Sequence, residues 1–131
     1  MKLLLDTHVF LWLQTDPGRL GSAVDTLASQ EHELALSAAS SWEIAIKHGL
    51  GRLPLPEQPA SYVPSRARRS GVDLLPIEHA DALAVAELPA LHRDPFDRLL
   101  IAQAIRRGLT VVTADDALRA YDVPVLALTN L

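Results

Sequence analysis

The sequence predicts an α/β fold with a mostly parallel sheet of four to five strands, covered by helices on both faces. Short apolar runs that end at polar residues alternate along the chain with amphipathic or alanine-rich stretches. Such alternation is typical of parallel strands joined by helical crossovers. At 131 residues the chain is long enough for one core and too short for two, so we expect a single domain over residues 1–131.

Composition limits the chemistry that the chain can support. It contains no cysteine, which excludes disulfides and thiolate sites, so any metal must be held by oxygen or histidine. The net charge of −4 excludes a uniformly basic surface, so a polyanionic substrate would need local basic patches. The apolar run at the start is interrupted at Asp6, well short of a signal-peptide core or a membrane span. We therefore expect a cytoplasmic protein without membrane contact.

The first apolar run, Lys2 to Leu5, predicts a buried parallel strand with Asp6 at its carboxyl end. Helices are expected over Thr7 to Gln14 and Ser22 to Gln30, because turn-forming residues separate them. Leu34 to Leu36 then predicts a second strand. These elements establish the alternation on which the fold class rests.

The serine-rich residues 37–41 can cap a helix that runs from about Trp42 to His48. This boundary places Glu43 in the first turn of the helix. One interpretation of Glu43 is an i,i+4 ion pair with Lys47 on an exposed face, and the other is membership of a metal-binding cluster.

The middle of the chain predicts a loop followed by three further elements. Residues 50–64 are rich in proline and glycine, which favours a loop with broken helical turns over a domain boundary. A helix around Tyr62 to Ser70, a strand over Val72 to Leu75 and a helix over Glu78 to Leu88 follow. The first of these carries basic residues that suit either a solvated face or phosphate contact, among them Arg66 and Arg69.

The segment Asp94-Pro95 is a strong helix start, because Asp94 can cap free amides and Pro95 suits the first helical position. Asp97 falls in the first turn, at the same azimuth as Ile101, and so heads an apolar stripe. Asp97 can complement the helix dipole, bind a cation, or do both. The helix is expected to end at Gly108, after two residues suited to a helix C-terminus, Arg106 and Arg107.

The last quarter of the chain predicts two more strands. Leu109 to Thr113 is apolar and β-branched, and it is followed by Ala114-Asp115-Asp116 and a short helix through Leu118. Val123 to Leu128 predicts a final strand, and its Pro124 indicates the edge of the sheet.

Four acids from distant segments are expected to meet at one edge of this sheet. Asp6 and Asp115 follow strands, and Glu43 and Asp97 begin helices whose amino ends face the same edge. Clustered carboxylates repel one another, and a cation resolves that repulsion. Oxygen ligands suit Mg²⁺ or Mn²⁺, which implies metal-assisted hydrolysis of phosphodiesters.

Four segments in this order, LLLDTH, SSWEIAIK, DPFDRLLIAQA and VVTADD, resemble the PIN-domain nucleases, and in particular the VapC-type toxins of bacterial toxin–antitoxin pairs. The resemblance runs over essentially the whole chain. It implies a three-layer α/β/α PIN-like fold and Mg²⁺-dependent (or Mn²⁺-dependent) endoribonuclease activity on an RNA substrate. It also implies a cognate antitoxin protein as partner and a homodimer as the assembly.

The resemblance assigns roles to individual residues. The catalytic, metal-binding acids would be Asp6, Glu43, Asp97 and Asp115. Supporting roles would fall to two hydroxyls beside the first and last acids and to two further acids, namely Thr7, Thr113, Asp94 and Asp116. Asp94 is a cap or a neighbour that holds a ligand in place, and Asp116 is a solvent-facing neighbour of Asp115. Contacts to the substrate are expected from Arg66, Arg69 and Arg93.

Other side chains favour structural roles. The histidines lie scattered without a helical i,i+4 pair, which argues against a metal site built from His8, His48, His79 and His92. Trp12 and Trp42 lie in apolar helical patterns, which predicts core or interface positions.

Two other classes of function are the alternatives to a nuclease. Haloacid-dehalogenase phosphatases need a second Asp where His8 stands, and response-regulator receivers need an acceptor Asp where Pro76 and Ile77 stand. A non-catalytic protein-binding or RNA-binding module remains open, since it explains Asp94 and Asp97 as caps, although it leaves Asp6 and Asp115 as coincidences.

Overall fold

Five parallel strands form one sheet in the computed structural model, which describes residues 1–91 and 94–128. Their order across the sheet is β3-β2-β1-β4-β5. The strands are β1 (Lys2–Leu5), β2 (Glu33–Ser37), β3 (Val72–Leu75), β4 (Thr110–Thr113) and β5 (Val125–Ala127). The predicted α/β class and parallel sheet are confirmed, and β5 is an edge strand, as Pro124 indicated.

Six α-helices connect or follow the described strands. They are α1 (Thr7–Thr15), α2 (Ala23–Ala28), α3 (Ala38–Gly49), α4 (Pro59–Ser70), α5 (His79–Ala84) and α6 (Pro95–Arg107). Short 3₁₀ segments occur at Pro17–Leu20, Val85–Glu87 and Asp116–Ala120. Within the described ranges, no helix has the length and apolar character needed to cross a bilayer.

The two faces of the sheet carry separate apolar clusters, which makes the fold three-layered. Leu3 and Leu5 of β1 belong to the larger cluster, which includes residues of α1, α2, α3 and α4. Leu4 points to the opposite face and packs with Leu100 and Ile101 of α6. Alternate residues of β1 are thus buried on opposite sides, as expected for a central strand covered on both faces.

Helix α3 begins earlier than the sequence pattern predicted. The Ser37 hydroxyl accepts a hydrogen bond from the Ala39 amide at 3.0 Å and caps the helix, so Glu43 lies in its second turn rather than its first. The buried face of α3 includes Glu43 and Ile44, whereas Trp42 is 53% exposed and contacts Phe96 edge-on. Of the two predicted alternatives, core or interface, the core position holds for Trp12, which packs against the larger cluster, whereas Trp42 is not in the core and its interface role stays a prediction.

Helix α4 also begins earlier than expected, within the segment predicted to be a loop. Pro59 occupies its first turn, where a missing amide hydrogen costs nothing, and Pro64 lies inside the helix. The prediction of a loop is therefore wrong for residues 59–64, because one internal proline removes a single helical hydrogen bond without ending the helix.

A buried ion cluster joins α5 to α6. Asp81 is fully buried and accepts hydrogen bonds from the guanidinium groups of Arg106 and Arg107. Burial raises the pKa of Asp81, but the hydrogen bonds from Arg107, the Glu78 amide and Arg106 outweigh it and hold this pKa below its ordinary value. The two arginines therefore bind a carboxylate, a stronger role than the dipole contact that their position predicted.

Candidate active site

A cleft at the carboxyl end of the sheet brings the sequence-predicted acids together. It encloses about 330 Å³, at the small end of the range for ligand sites. Five carboxylates line it, those of Asp6, Glu43, Asp94, Asp97 and Asp115. Because the strands are parallel, the segments after β1 and β4 and the amino ends of the crossover helices meet at this edge.

Asp6 is held rigidly at the centre of the site. It follows β1 directly, is 4% exposed, and its Oδ1 accepts a hydrogen bond of 2.8 Å from the Thr7 amide at the start of α1. Its Oδ2 accepts a 2.7 Å hydrogen bond from the Thr113 hydroxyl. That hydroxyl in turn accepts a hydrogen bond of 3.0 Å from the Asp115 amide. Thr113 therefore ties the end of β1 to the segment that carries Asp115.

Glu43 is held between a hydroxyl and a cation. Its Oε1 accepts a 2.6 Å hydrogen bond from the Thr7 hydroxyl, and its Oε2 accepts one of 2.6 Å from the Lys47 ammonium group. The i,i+4 ion pair that the sequence allowed is thus present, but Glu43 is only 7% exposed, so the pair closes one wall of the cleft.

Lys47 experiences the field of several acids at once. The hydrogen bond to Glu43 raises its pKa, burial opposes the rise, and the charges of Glu43, Asp94 and Asp97 add to it. The Lys47 side chain is half exposed. It supplies a fixed positive charge among the carboxylates.

The two acids of the α6 start have different positions in the helix. Asp94 is the N-cap, and its Oδ1 accepts hydrogen bonds from the amides of Phe96 at 2.9 Å and Asp97 at 3.2 Å. The prediction of Asp94 as a cap is confirmed. Asp97 lies in the first turn of α6, as predicted, and its side chain lines the cleft.

Of the two adjacent acids that follow β4, one lines the cleft and the other does not. Asp115 lines the cleft and caps the following 3₁₀ segment through the Ala117 amide at 2.9 Å. Asp116 lies outside the cleft with a side chain that is 65% exposed and 3.8 Å from Arg119. The expectation that Asp116 is a solvent-facing neighbour is confirmed.

The carboxylates form an oxygen-rich site that suits Mg²⁺ or Mn²⁺. Five acids outnumber the two cationic side chains of the cleft, Lys47 and Arg52, so a divalent cation would offset excess negative charge. Across residues 1–91 and 94–128, however, no three Asp, Glu or His side chains are close enough to hold one ion as they stand. The reason is visible at Asp6 and Glu43, whose oxygens are directed to hydroxyls, an amide and an ammonium group. The donor set fits an ion that retains several water ligands.

The histidines near the cleft form hydrogen bonds with backbone groups. The Nε2 of His8 accepts a hydrogen bond of 3.2 Å from the Ala114 amide, which leaves the proton on Nδ1, at 3.6 Å from Asp6 Oδ2. The Nδ1 of His48 donates to the Leu53 carbonyl at 2.9 Å. One ring nitrogen of each histidine is therefore hydrogen-bonded to the backbone. His92 lies outside the described residues.

Two of the three predicted substrate contacts, Arg66 and Arg69, do not line this cleft. Arg66 pairs with Glu57 at 3.2 Å, and Arg69 is exposed on α4 away from the acids. Arg93 lies outside the described residues. The cationic side chains that line the cleft are Lys47 and Arg52, and sequence reasoning gave neither a role toward substrate. For Lys47 a signal existed, since it follows Glu43 by one helical turn.

Comparisons with known proteins show the family and the fold of the chain. A sequence model of the PIN domain family matches residues 3–124. The chain is 33% identical to ribonuclease VapC22 of Mycobacterium tuberculosis over 123 residues, 93% of each chain. It is 57% identical to ribonuclease VapC16 of the same organism over 49 residues, which span 37% of this chain and 35% of that protein. Among solved structures, VapBC2 from Rickettsia felis bound to a promoter DNA fragment superposes with a TM-score of 0.73 at 18% identity, covering 97% of this chain and 98% of that one.

Proposed function

The chain belongs to the PIN domain family, and we propose that it is a metal-dependent endoribonuclease whose active site is the acidic cleft. The observation that carries the proposal is the meeting of five carboxylates from four separate segments at the carboxyl edge of the sheet. Support comes from the similarity to VapC22, a ribonuclease by name, over nearly the full length of both chains.

The residues that would hold Mg²⁺ or Mn²⁺ are Asp6, Asp97 and Asp115, with Glu43 at the wall of the cleft. When bound, such an ion activates water and stabilises the charge that develops on the phosphoryl group and the leaving oxygen. Thr113 links Asp6 to the Asp115 backbone, and Thr7 holds Glu43, so both hydroxyls fix the positions of carboxylates that line the cleft. Asp94 holds the amino end of α6 and thereby the position of Asp97.

We further propose that the chain is the toxin of a toxin–antitoxin pair and that it forms a homodimer. A toxin–antitoxin complex from Klebsiella pneumoniae is among the proteins with a similar fold, and the two curated relatives described above carry the VapC name. A cognate antitoxin would block the acidic cleft and prevent access of RNA. Copurification of the chain with the product of a neighbouring gene, and loss of cleavage in that complex, would support this assignment.

A cleavage assay tests the proposed activity. Purified protein is incubated with a mixture of structured and single-stranded RNAs in Mg²⁺ or Mn²⁺, with EDTA, and as the Asp97→Asn variant. The matched control is Asp116→Asn, which makes the same change in an exposed acid that follows Asp115 and lies outside the cleft. The proposal expects cleavage by the wild type and the control, and none with EDTA or Asp97→Asn.

Other outcomes would redirect the assignment. Equal cleavage by Asp97→Asn and the wild type would remove Asp97 from the site. RNA binding without cleavage of any RNA would favour a non-catalytic RNA-binding module.

A further inference from the structure

We propose that Arg52 is the side chain that binds a backbone phosphate of RNA in the acidic cleft. This inference rests on the proposed ribonuclease function, and it adds a substrate-binding residue that the sequence pattern did not indicate. It replaces the expectation that Arg66 and Arg69 of α4 contact the substrate.

The charge of the cleft requires such a residue. Five carboxylates line the site, so an approaching polyanion is repelled unless cations face it. Lys47 is one of the two cationic side chains there, but its ammonium group is engaged by Glu43 at 2.6 Å. Arg52 is the other. In the part of the chain that the structure describes, its guanidinium group has no hydrogen-bond or ion-pair partner and stays exposed.

The backbone around Arg52 is anchored, although the side chain is free. The Arg52 amide donates to the Lys47 carbonyl at 2.9 Å, and the Gly51 amide donates to the His48 carbonyl at 3.0 Å. His48 Nδ1 then donates to the Leu53 carbonyl at 2.9 Å. Gly51 supplies the positive φ of 73° that the turn requires. The segment after α3 therefore holds the Cα of Arg52 at the mouth of the cleft.

The side chain of Leu53 adds a second anchor. Leu53 packs against the larger apolar cluster and also lines the cleft, so the residue after Arg52 is fixed to the core. A guanidinium group on such a base can form paired hydrogen bonds with phosphate oxygens. Little conformational freedom of the backbone is then lost when RNA binds.

Several other arginines are less suited to this role. Arg66 pairs with Glu57 and lies over the Tyr62 ring. Arg106 and Arg107 bind Asp81. Arg68 of α4 lies beside β3, away from the acids, and serves as a matched control.

The test compares Arg52→Ala, Arg52→Lys and Arg68→Ala in two assays. In the first, fluorescence anisotropy measures the Kd for a labelled single-stranded RNA in EDTA, where metal-dependent cleavage cannot proceed. Arg52→Ala should raise Kd by about tenfold, the equivalent of one charge-assisted contact, and should lower the salt dependence of log Kd by roughly 0.7. Arg52→Lys should recover part of the affinity, and Arg68→Ala should bind like the wild type.

In the second assay, steady-state cleavage with Mg²⁺ separates binding from chemistry. Arg52→Ala should raise KM by about tenfold and change kcat by less than about twofold, because the contact is present before and during the reaction. The inference would be overturned if Arg52→Ala had the Kd and KM of the wild type. It would also be overturned if Arg68→Ala raised Kd and KM as much as Arg52→Ala does. A wild type that binds RNA without cleaving it would defeat the proposed function, while the Kd of Arg52→Ala would still decide the inference. A wild type that binds no RNA would overturn the inference itself.

Discussion

Replacing Thr113 by valine removes the hydroxyl that links Asp6 to Asp115 while preserving the shape of a fully buried side chain. Two hydrogen bonds are lost, the 2.7 Å bond donated to the Asp6 carboxylate and the 3.0 Å bond accepted from the Asp115 amide. A bond to a charged group contributes about 1.5–3 kcal/mol, and a neutral one about 1 kcal/mol. The added methyl group offsets up to about 0.8 kcal/mol of this loss. We therefore expect a net decrease of about 2–3 kcal/mol in the free energy of unfolding.

Urea unfolding of Thr113→Val, followed by circular dichroism, measures that decrease. The control is Thr110→Val on the same strand, because the hydrogen bond of the Thr110 hydroxyl among the described residues goes to the sulfur of Met1, at 3.4 Å. The control should lose less than about 0.5 kcal/mol. A Thr113→Val decrease as small as that of the control would refute the argument that this hydroxyl organises the site.

Two further substitutions test the other charged clusters. Lys47→Met removes the ammonium group that is hydrogen-bonded to Glu43, so the melting temperature without metal should fall. The increase in melting temperature caused by Mg²⁺ should be larger than in the wild type. Lys47→Arg should behave like the wild type. If Mg²⁺ raised the melting temperature of Lys47→Met by the same amount as that of the wild type, this prediction would be wrong. Asp81→Asn should cost roughly 3 kcal/mol in urea unfolding at neutral pH, since two arginines lose a buried partner. Because the folded pKa of Asp81 is lowered, its contribution is present above about pH 4 and is lost as pH falls through that pKa. In Asp81→Asn the free energy of unfolding should therefore fall less steeply with pH below about pH 4 than in the wild type. The same pH dependence in both proteins would contradict the role given to Asp81 in the ion cluster.

The strands could be predicted from the sequence because each is a short apolar run bounded by polar or turn-forming residues. The helix boundaries were harder to predict. Residues 37–41 contain three serines that can each cap a helix, and the sequence pattern does not show that Ser37 is the cap or that Ile44 is buried in the larger apolar cluster. The start of α4 was missed because two prolines and a nearby glycine favour a loop locally, while burial of Tyr62 and Val63 stabilises the helix.

The acids of the candidate site were predictable because their positions follow from topology. Asp6 and Asp115 follow strands, and Asp94 and Asp97 begin a helix, so the parallel sheet places them at one edge. Arg52 carries no comparable local signal, since its position depends on how the segment after α3 folds back onto Lys47 and His48. Asp81 was missed for a related reason, because its partners lie 25 and 26 residues further along the chain.

The central claim is that acids from separate segments form one divalent-cation site, and titration of the protein with Mn²⁺ tests it most directly. Binding is followed by calorimetry or by the electron paramagnetic resonance of free Mn²⁺, for the wild type, Asp97→Asn and Asp116→Asn. The account predicts saturable binding by the wild type and Asp116→Asn, and at least about tenfold weaker binding by Asp97→Asn, which loses a charged ligand. Equal affinity in all three proteins, or no binding by the wild type, would contradict it.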